Sequence, residues 1–272
     1  MSSQLGPSLE WVQSAKDNPN KLSFLDLPRE LRDDVISYAF RVQGAIFMYS
    51  PNPYNNRRLT YKARVVRHGN KGPIEPLHLG RLIPLPLMFT CRQMHAECSP
   101  VLYRDNVYRV GPLNPLETSL VYRQLIKHVV YMADADPRLY GAHLDEVNYA
   151  WKRRFWPSVV SGGAKTLEQY PNIETLTVML TSPGGQMWRP AFFAVDNKTK
   201  QQRIALAVGW MHPRCPLNNE RLRACLRLEL NPSARFFRDE YKGSRFAPEE
   251  SDDEEWACAE FAEAFRVVMS LS

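Results

Sequence analysis

The 272-residue sequence predicts an α+β fold: an N-terminal helical module interrupted by a β-hairpin, then a repeat-like alternation of helix and strand that builds a partly parallel sheet. Three observations predict it. FLDLPRELRDDVISYAF places apolar residues at helical spacing. GAIFMYS and RLTYKARVV are strand-like and flank the turn-rich PNPYNN. LIKHVVYM, ETLTVML and CLRLEL are β-rich and begin at Leu125, Glu174 and Cys225, each after a stretch able to form a helix. Strands that alternate with helical patterns imply crossover connections, and crossovers imply parallel pairing.

Taken in order, residues 1–22 read as loosely ordered, with a short helix around Leu9 to Ala15. Pro28 fits a first helical turn, where a missing N–H costs nothing, and Glu30, Asp33 and Asp34 sit near the positive end of the helix dipole. Leu27, Leu31, Val35 and Tyr38 or Ala39 then form an apolar stripe, so the helix runs from Pro28 to about Arg41. The hairpin follows, with a basic outer face. HGNKGPIEPLHLGRLIPLP is rich in Gly and Pro and reads as loop. A helix resumes at Leu87 with Cys91, Met94 or His95, and Cys98 on one face. Ser99 and Pro100 are expected to end it and start a second short helix, PVLYRDN, before the strand VYRV.

LEQYPNIETLTVML resembles one turn of a leucine-rich repeat, although the spacing of the three β-rich segments is too long for a regular solenoid. AFFAVDNKTKQQRIALAVGWM reads as a hairpin turning at Asp196 to Lys200, with helix as the alternative. SARFFRDEYKGSRFAPEESDDEE reads as exposed and polar. Trp256, Ala257, Phe261, Ala264, Phe265 and Val268 recur at helical spacing, so the chain closes on an amphipathic helix. The expected division is residues 1–22, a module over 23–110 and an interaction portion over 111–272.

Composition narrows the function classes. Apolar content is 44% and charged content 24%, as in an ordinary folded protein. No apolar run is long enough to span a bilayer, and the first residues lack a secretory pattern, so the expected location is cytoplasm or nucleus and no membrane partner is expected. Five scattered cysteines without a C-x-x-C pair suit a reducing compartment. The net charge of +6 is unevenly spread. Arg57, Arg58, Lys62, Arg64 and Arg67 cluster beside Tyr54 and Tyr61, a possible patch for an anionic partner, whereas Glu249 to Glu255 is almost wholly acidic. Nucleic acid is the weaker expectation for that patch because no binding motif accompanies it.

In TCRQMHAEC, Cys91, His95 and Cys98 share a helical face. At 1.5 Å per residue they span about 10 Å along the axis, too far for one ion bound at about 2.0–2.3 Å. Core packing with buried, inert thiols is expected, with Arg92 or Glu97 making the polar contacts. SGGAKT lacks two glycines of a phosphate loop, and no hydrolase signature is present. No catalytic residue, metal or cofactor is expected.

Two segments together resemble a known family. FLDLPRELRDDVISYAF resembles the opening of an F-box, and LMFTCRQMHAECSPVLYRDNVYRV resembles the second signature of a large group of fungal F-box-like proteins. The order of Leu27-Pro28, Cys91-Arg92-Gln93, Glu97, Leu102-Tyr103 and Asn106 carries the likeness, which covers roughly residues 22 to 132. The resemblance implies a non-catalytic adaptor that docks on a Skp1-like protein and recruits a protein substrate to a cullin ubiquitin ligase. Leu27, Pro28, Leu31, Val35 and Ile36 would form the adaptor-facing or module-core surface. An F-box runs directly into its second and third helices, whereas here a hairpin and a Pro-rich loop intervene. The same helix face therefore suits either a partner or the interior of its own domain.

Overall fold

The computed structural model describes residues 23–49, 62–69, 71–110, 118–134, 144–181, 198–231 and 252–271. The first helix begins behind a capped turn. Ser23 Oγ accepts the Leu25 N–H and the Asp26 carboxylate accepts the Ser23 N–H, which closes the 3-10 turn Phe24–Asp26. Pro28 is the last residue before helix α1 (Arg29–Phe40), and its carbonyl accepts the Arg32 N–H. Strands β1 (Ala45–Tyr49) and β2 (Lys62–Val66) pair antiparallel as expected, from Ala45 opposite Val66 to Tyr49 opposite Lys62. Gly44 enters β1 at φ +106°, where an added Cβ would lie 2.4 Å from the Val66 carbonyl oxygen, so only glycine fits.

The segment expected as loop holds strand β3 (Leu77–His78), helix α2 (Leu79–Leu82) and the 3-10 turn Leu85–Phe89. Next come α3 (Arg92–Arg104), β4 (Val107–Val110), α4 (Leu120–Arg123), β5 (His128–Asp134) and α5 (Leu144–Gln169). The chain continues through β6 (Thr175–Thr181), α6 (Lys200–Met211), α7 (Glu220–Cys225), β7 (Leu226–Asn231) and α8 (Asp252–Ser270). Eight helices and a seven-stranded, mostly parallel sheet are thus present among the described residues. The strand order is β3-β2-β1-β4-β5-β6-β7. β1, β3 and β4 to β7 run in one direction, and β2 alone runs against them.

Strand alternation sorts the side chains onto two faces. Ile46, Tyr108, Val129, Leu176 and Leu226 are in register and buried on the face that carries α1, α3, α5, α6 and α8, where one core cluster unites all of them. Phe47, Arg109, Val130, Thr177 and Arg227 form the alternate row. His68, in the bend after β2, lies 3.5 Å from Glu229 of β7 on that second face. In a flat sheet five strand spacings of about 4.8 Å, roughly 24 Å in all, would separate those two strands. The contact closes that distance over the face opposite the described helices α1, α3, α5, α6 and α8.

Several expectations are corrected. The hairpin is part of the sheet: β1 pairs directly with β4, and β4 with β5, so one sheet includes strands from both sides of residue 110. Ser99 and Pro100 do not break the helix. α3 runs through Pro100 because Met94, Cys98, Ser99 and Leu102 are buried along one continuous face, and that packing outweighs a proline cost of about 3 kcal/mol. SGGAKT, set aside as a phosphate loop on its missing glycines, is interior helix, and Gly162 lies so close to the Tyr131 ring that an added Cβ would be 2.3 Å from it. KQQRIALAVGWM is helix α6, the alternative to the expected hairpin, started by a capping box between Thr199 and Gln202. α8 buries Phe261, Ala264, Phe265 and Val268 as expected. The Leu9 to Ala15 helix, the polar stretch after Asn231, and the side chains of Trp256 and Ala257 lie outside the described residues.

Candidate functional site

α1 carries two apolar stripes one residue apart. Ile36 and Phe40 are fully buried against the sheet. Leu31, Val35 and Tyr38 point outward at 52%, 47% and 92% exposure. Leu27 is half-buried and Pro28 exposed at the head of the same outward stripe. Of the residues the resemblance implies, Leu31 and Val35 therefore lie on an accessible face, whereas Ile36 belongs to the core and cannot touch a partner. Tyr38 extends the outward stripe to about 10 Å along the axis.

The orientation of α1 is set by a charged residue on its inner side. Arg32 Nε donates to Glu97 Oε2 at 3.0 Å and Arg32 Nη2 to Glu97 Oε1 at 2.8 Å, across to α3. Arg32 Nη1 donates to the carbonyls of Leu25 and Leu27, at 3.1 and 2.7 Å. Gln93 Nε2 adds a third bond to Glu97, at 3.0 Å. The hydrogen bond from Arg32, helped by that from Gln93, holds the Glu97 carboxyl below its ordinary range. One guanidinium thus fastens the capped turn, α1 and α3 together, with the bidentate geometry that suits Arg rather than Lys.

A second fastening lies at the other end. Asn106 is buried; its Nδ2 donates to the carbonyls of Phe40 at 2.8 Å and Leu102 at 2.9 Å, and its Oδ1 accepts the Val42 N–H at 2.8 Å. Arg41 of the α1 C-terminus pairs with Asp105 at 2.7 Å. Tyr103 stacks between Tyr108 and Tyr122, and Tyr122 Oη is 2.9 Å from His95 Nε2. The signature residues Glu97, Leu102, Tyr103 and Asn106 are thus engaged within the fold, and the exposed Gln93 braces Glu97 from outside. They hold α1 against α3 and leave the Leu31 stripe outside.

Of the two thiols expected to be buried, Cys98 is and Cys91 is not. Cys98 is buried, and burial pushes its thiol up to about 11. Cys91 is exposed instead of buried: it caps α3, its Sγ accepting the Met94 N–H at 3.4 Å. The cap takes Cys91 out of the helical face that its spacing suggested. His95 turns to Tyr122 and Ser99, so the three residues are not gathered. Of the two residues expected to make polar contacts, Glu97 does so and Arg92 is exposed.

Of the basic patch, Lys62, Arg64 and Arg67 are exposed on and beside β2, while Arg57 and Arg58 lie outside the described residues. Arg64 sits over the Tyr49 ring, 4.9 Å from its centroid, and Arg109 over Phe47 at 5.4 Å. The two rings stack on each other at 5.8 Å. Sequence spacing misses this arrangement because Arg109 joins the group only through strand pairing.

No group of three metal-type side chains occurs among the described residues, and no described helix is long and apolar enough to cross a membrane. Comparison with protein-family models, with curated proteins and with solved structures finds no match for the chain.

Proposed function

We propose that the protein is a non-catalytic F-box-like adaptor that recruits a protein substrate to a ubiquitin ligase of the Skp1-cullin type, docking through the outward stripe of α1. The observation that carries this reading is the exposure of Leu31, Val35 and Tyr38 on a helix whose inner side is fully engaged. An apolar helix stripe laid into a groove of partner helices is a common recognition mode. Leu27 and Pro28 continue the stripe, and Ile36 supports it from inside the core. The Arg32 and Asn106 fastenings pre-organise α1, which lowers the entropy cost of docking.

A specific observation favours a second reading, an interaction scaffold that does not bind a Skp1-like adaptor. β1 separates α1 from α3 in sequence and is a central strand of the sheet, whereas an F-box links its helices directly. Co-purification with a Skp1-like protein distinguishes the two. The adaptor reading expects a complex that survives high salt and is lost in Leu31→Asp with the melting curve unchanged. Failure of the wild-type chain to associate with excess adaptor protein overturns it in favour of the scaffold.

A further inference from the structure

We propose that the sheet face around β2, opposite the described core helices, binds an acidic, extended peptide segment of a partner protein, with Arg64 as its principal anchor. The chemistry of the face points to carboxylates. His78, Arg64, Phe47 and the buried Arg109 lie in one register row across β3, β2, β1 and β4, with Lys62 and Tyr49 in the next row of the same face, so the accessible cations of the face are Lys62 and Arg64. Lys62 and Arg64 are exposed there, and Arg67, just beyond β2, is exposed as well. Arg64 sits over the Tyr49 ring, and a guanidinium placed over a ring keeps its N–H edges available to grip a carboxylate with two parallel bonds.

The same packing argues against a single-stranded nucleic acid. Base stacking needs an open aromatic face, but Phe47 and Tyr49 stack on each other and are covered by the Arg109 and Arg64 guanidiniums. An extended chain also has backbone groups to meet. β3 pairs only with Arg64 and Val65, so Lys62 and Ala63 have no outer strand partner among the described residues. A peptide strand lying there would direct alternate side chains onto the Lys62 and Arg64 face.

The test is fluorescence polarisation of the full chain with a fluorescein-labelled peptide alternating Glu and Thr, at low salt. Saturable binding is expected, with none to the Gln and Thr counterpart. Arg64→Ala is expected to weaken binding about tenfold or more. Arg64→Lys keeps the charge but loses the fork, and Tyr49→Leu removes its platform; both should weaken binding several-fold with unchanged circular dichroism melting curves. Absence of saturable binding overturns the proposal. So does an Arg64→Ala variant that binds like wild type, or tighter, Arg64-dependent binding of oligo(dT). Leu31→Asp should leave peptide binding intact, so failure of the α1 docking reading and failure of this one are separable.

Discussion

Arg32 and Glu97, 65 residues apart in sequence, form a two-pronged ion pair that joins α1 to α3. Because Arg32 also holds the carbonyls of Leu25 and Leu27, the pair decides which side of α1 faces the core. The surface that α1 offers to a partner is therefore a consequence of a polar contact on its opposite side.

That contact makes stability depend on acid. The Glu97 carboxyl is held below its ordinary range, first by Arg32 and then by Gln93. A group with a depressed folded-state pKa contributes stability above its unfolded value, about 4.3 for Glu, and loses it as pH falls through the folded value. Glu97→Gln should melt a few degrees below wild type at pH 7. The gap should narrow below about pH 4 as the wild-type carboxylate is protonated. Thermal melts of both chains from pH 7 to pH 3 check this, and a gap independent of pH refutes it.

Asn106 tests the second fastening. Its side chain satisfies the Phe40 and Leu102 carbonyls and the Val42 N–H in a buried place. Asn106→Ala takes this partner from the Phe40 carbonyl and the Val42 N–H, while the Leu102 carbonyl keeps the Tyr108 hydroxyl; each such loss costs about 1–3 kcal/mol, so a total of about 3 kcal/mol is expected in urea unfolding. Asn106→Asp should be worse at neutral pH, because it sets a carboxylate against two carbonyl oxygens. Lowering the pH should recover part of that loss, since the protonated acid can donate to one of them.

The thiols give a prediction of reactivity. Burial pushes Cys98 up to about 11 and also raises Cys225, while Cys91 is exposed at the α3 cap. Thiolate is the reacting form. In the folded chain at pH 7.5, iodoacetamide should label Cys91 well before Cys98 or Cys225, and denaturant should erase the difference. Peptide mapping by mass spectrometry reads the order, and early labelling of Cys98 would contradict its buried placement.

What was legible in the sequence divides along physical lines. The strands β5, β6 and β7 were legible because β-branched and leucine runs such as Val129, Val130, Leu176 and Val178 must be covered to form at all. α8 was legible from its period, since Phe261, Ala264, Phe265 and Val268 pack together. α6 had a readable start in Thr199 and Gln202, a capping box, which argued for helix over hairpin. The orientation of α1 was not legible. Its two stripes, Leu31 with Val35 and Ile36 with Phe40, are equally apolar, and the choice depends on Glu97 from a distant segment. Cys91 misled for a related reason, as helical spacing cannot tell a first helical residue from the cap before it. The approach of His68 to Glu229 across the sheet is a pairing that no local pattern contains.

The buried pair of Arg203 and Glu260 offers the largest expected stability change. Arg203 donates to both Glu260 oxygens at 2.6 and 2.8 Å, and also to the Lys198 carbonyl, with the two side chains 5% and 2% exposed. The pair ties the start of α6 to α8, which itself lies along β7. Removing one partner from such a pair leaves a buried charge without compensation, a cost of about 3–5 kcal/mol. Glu260→Gln and Arg203→Met should each lower unfolding stability by that order. The double variant Arg203→Met with Glu260→Leu removes both charges, and buried ion pairs replaced by apolar groups of similar volume often recover stability. It should therefore be more stable than either single variant. A double-mutant cycle in urea measures the coupling, and additive losses would show that the pair does not act as a unit.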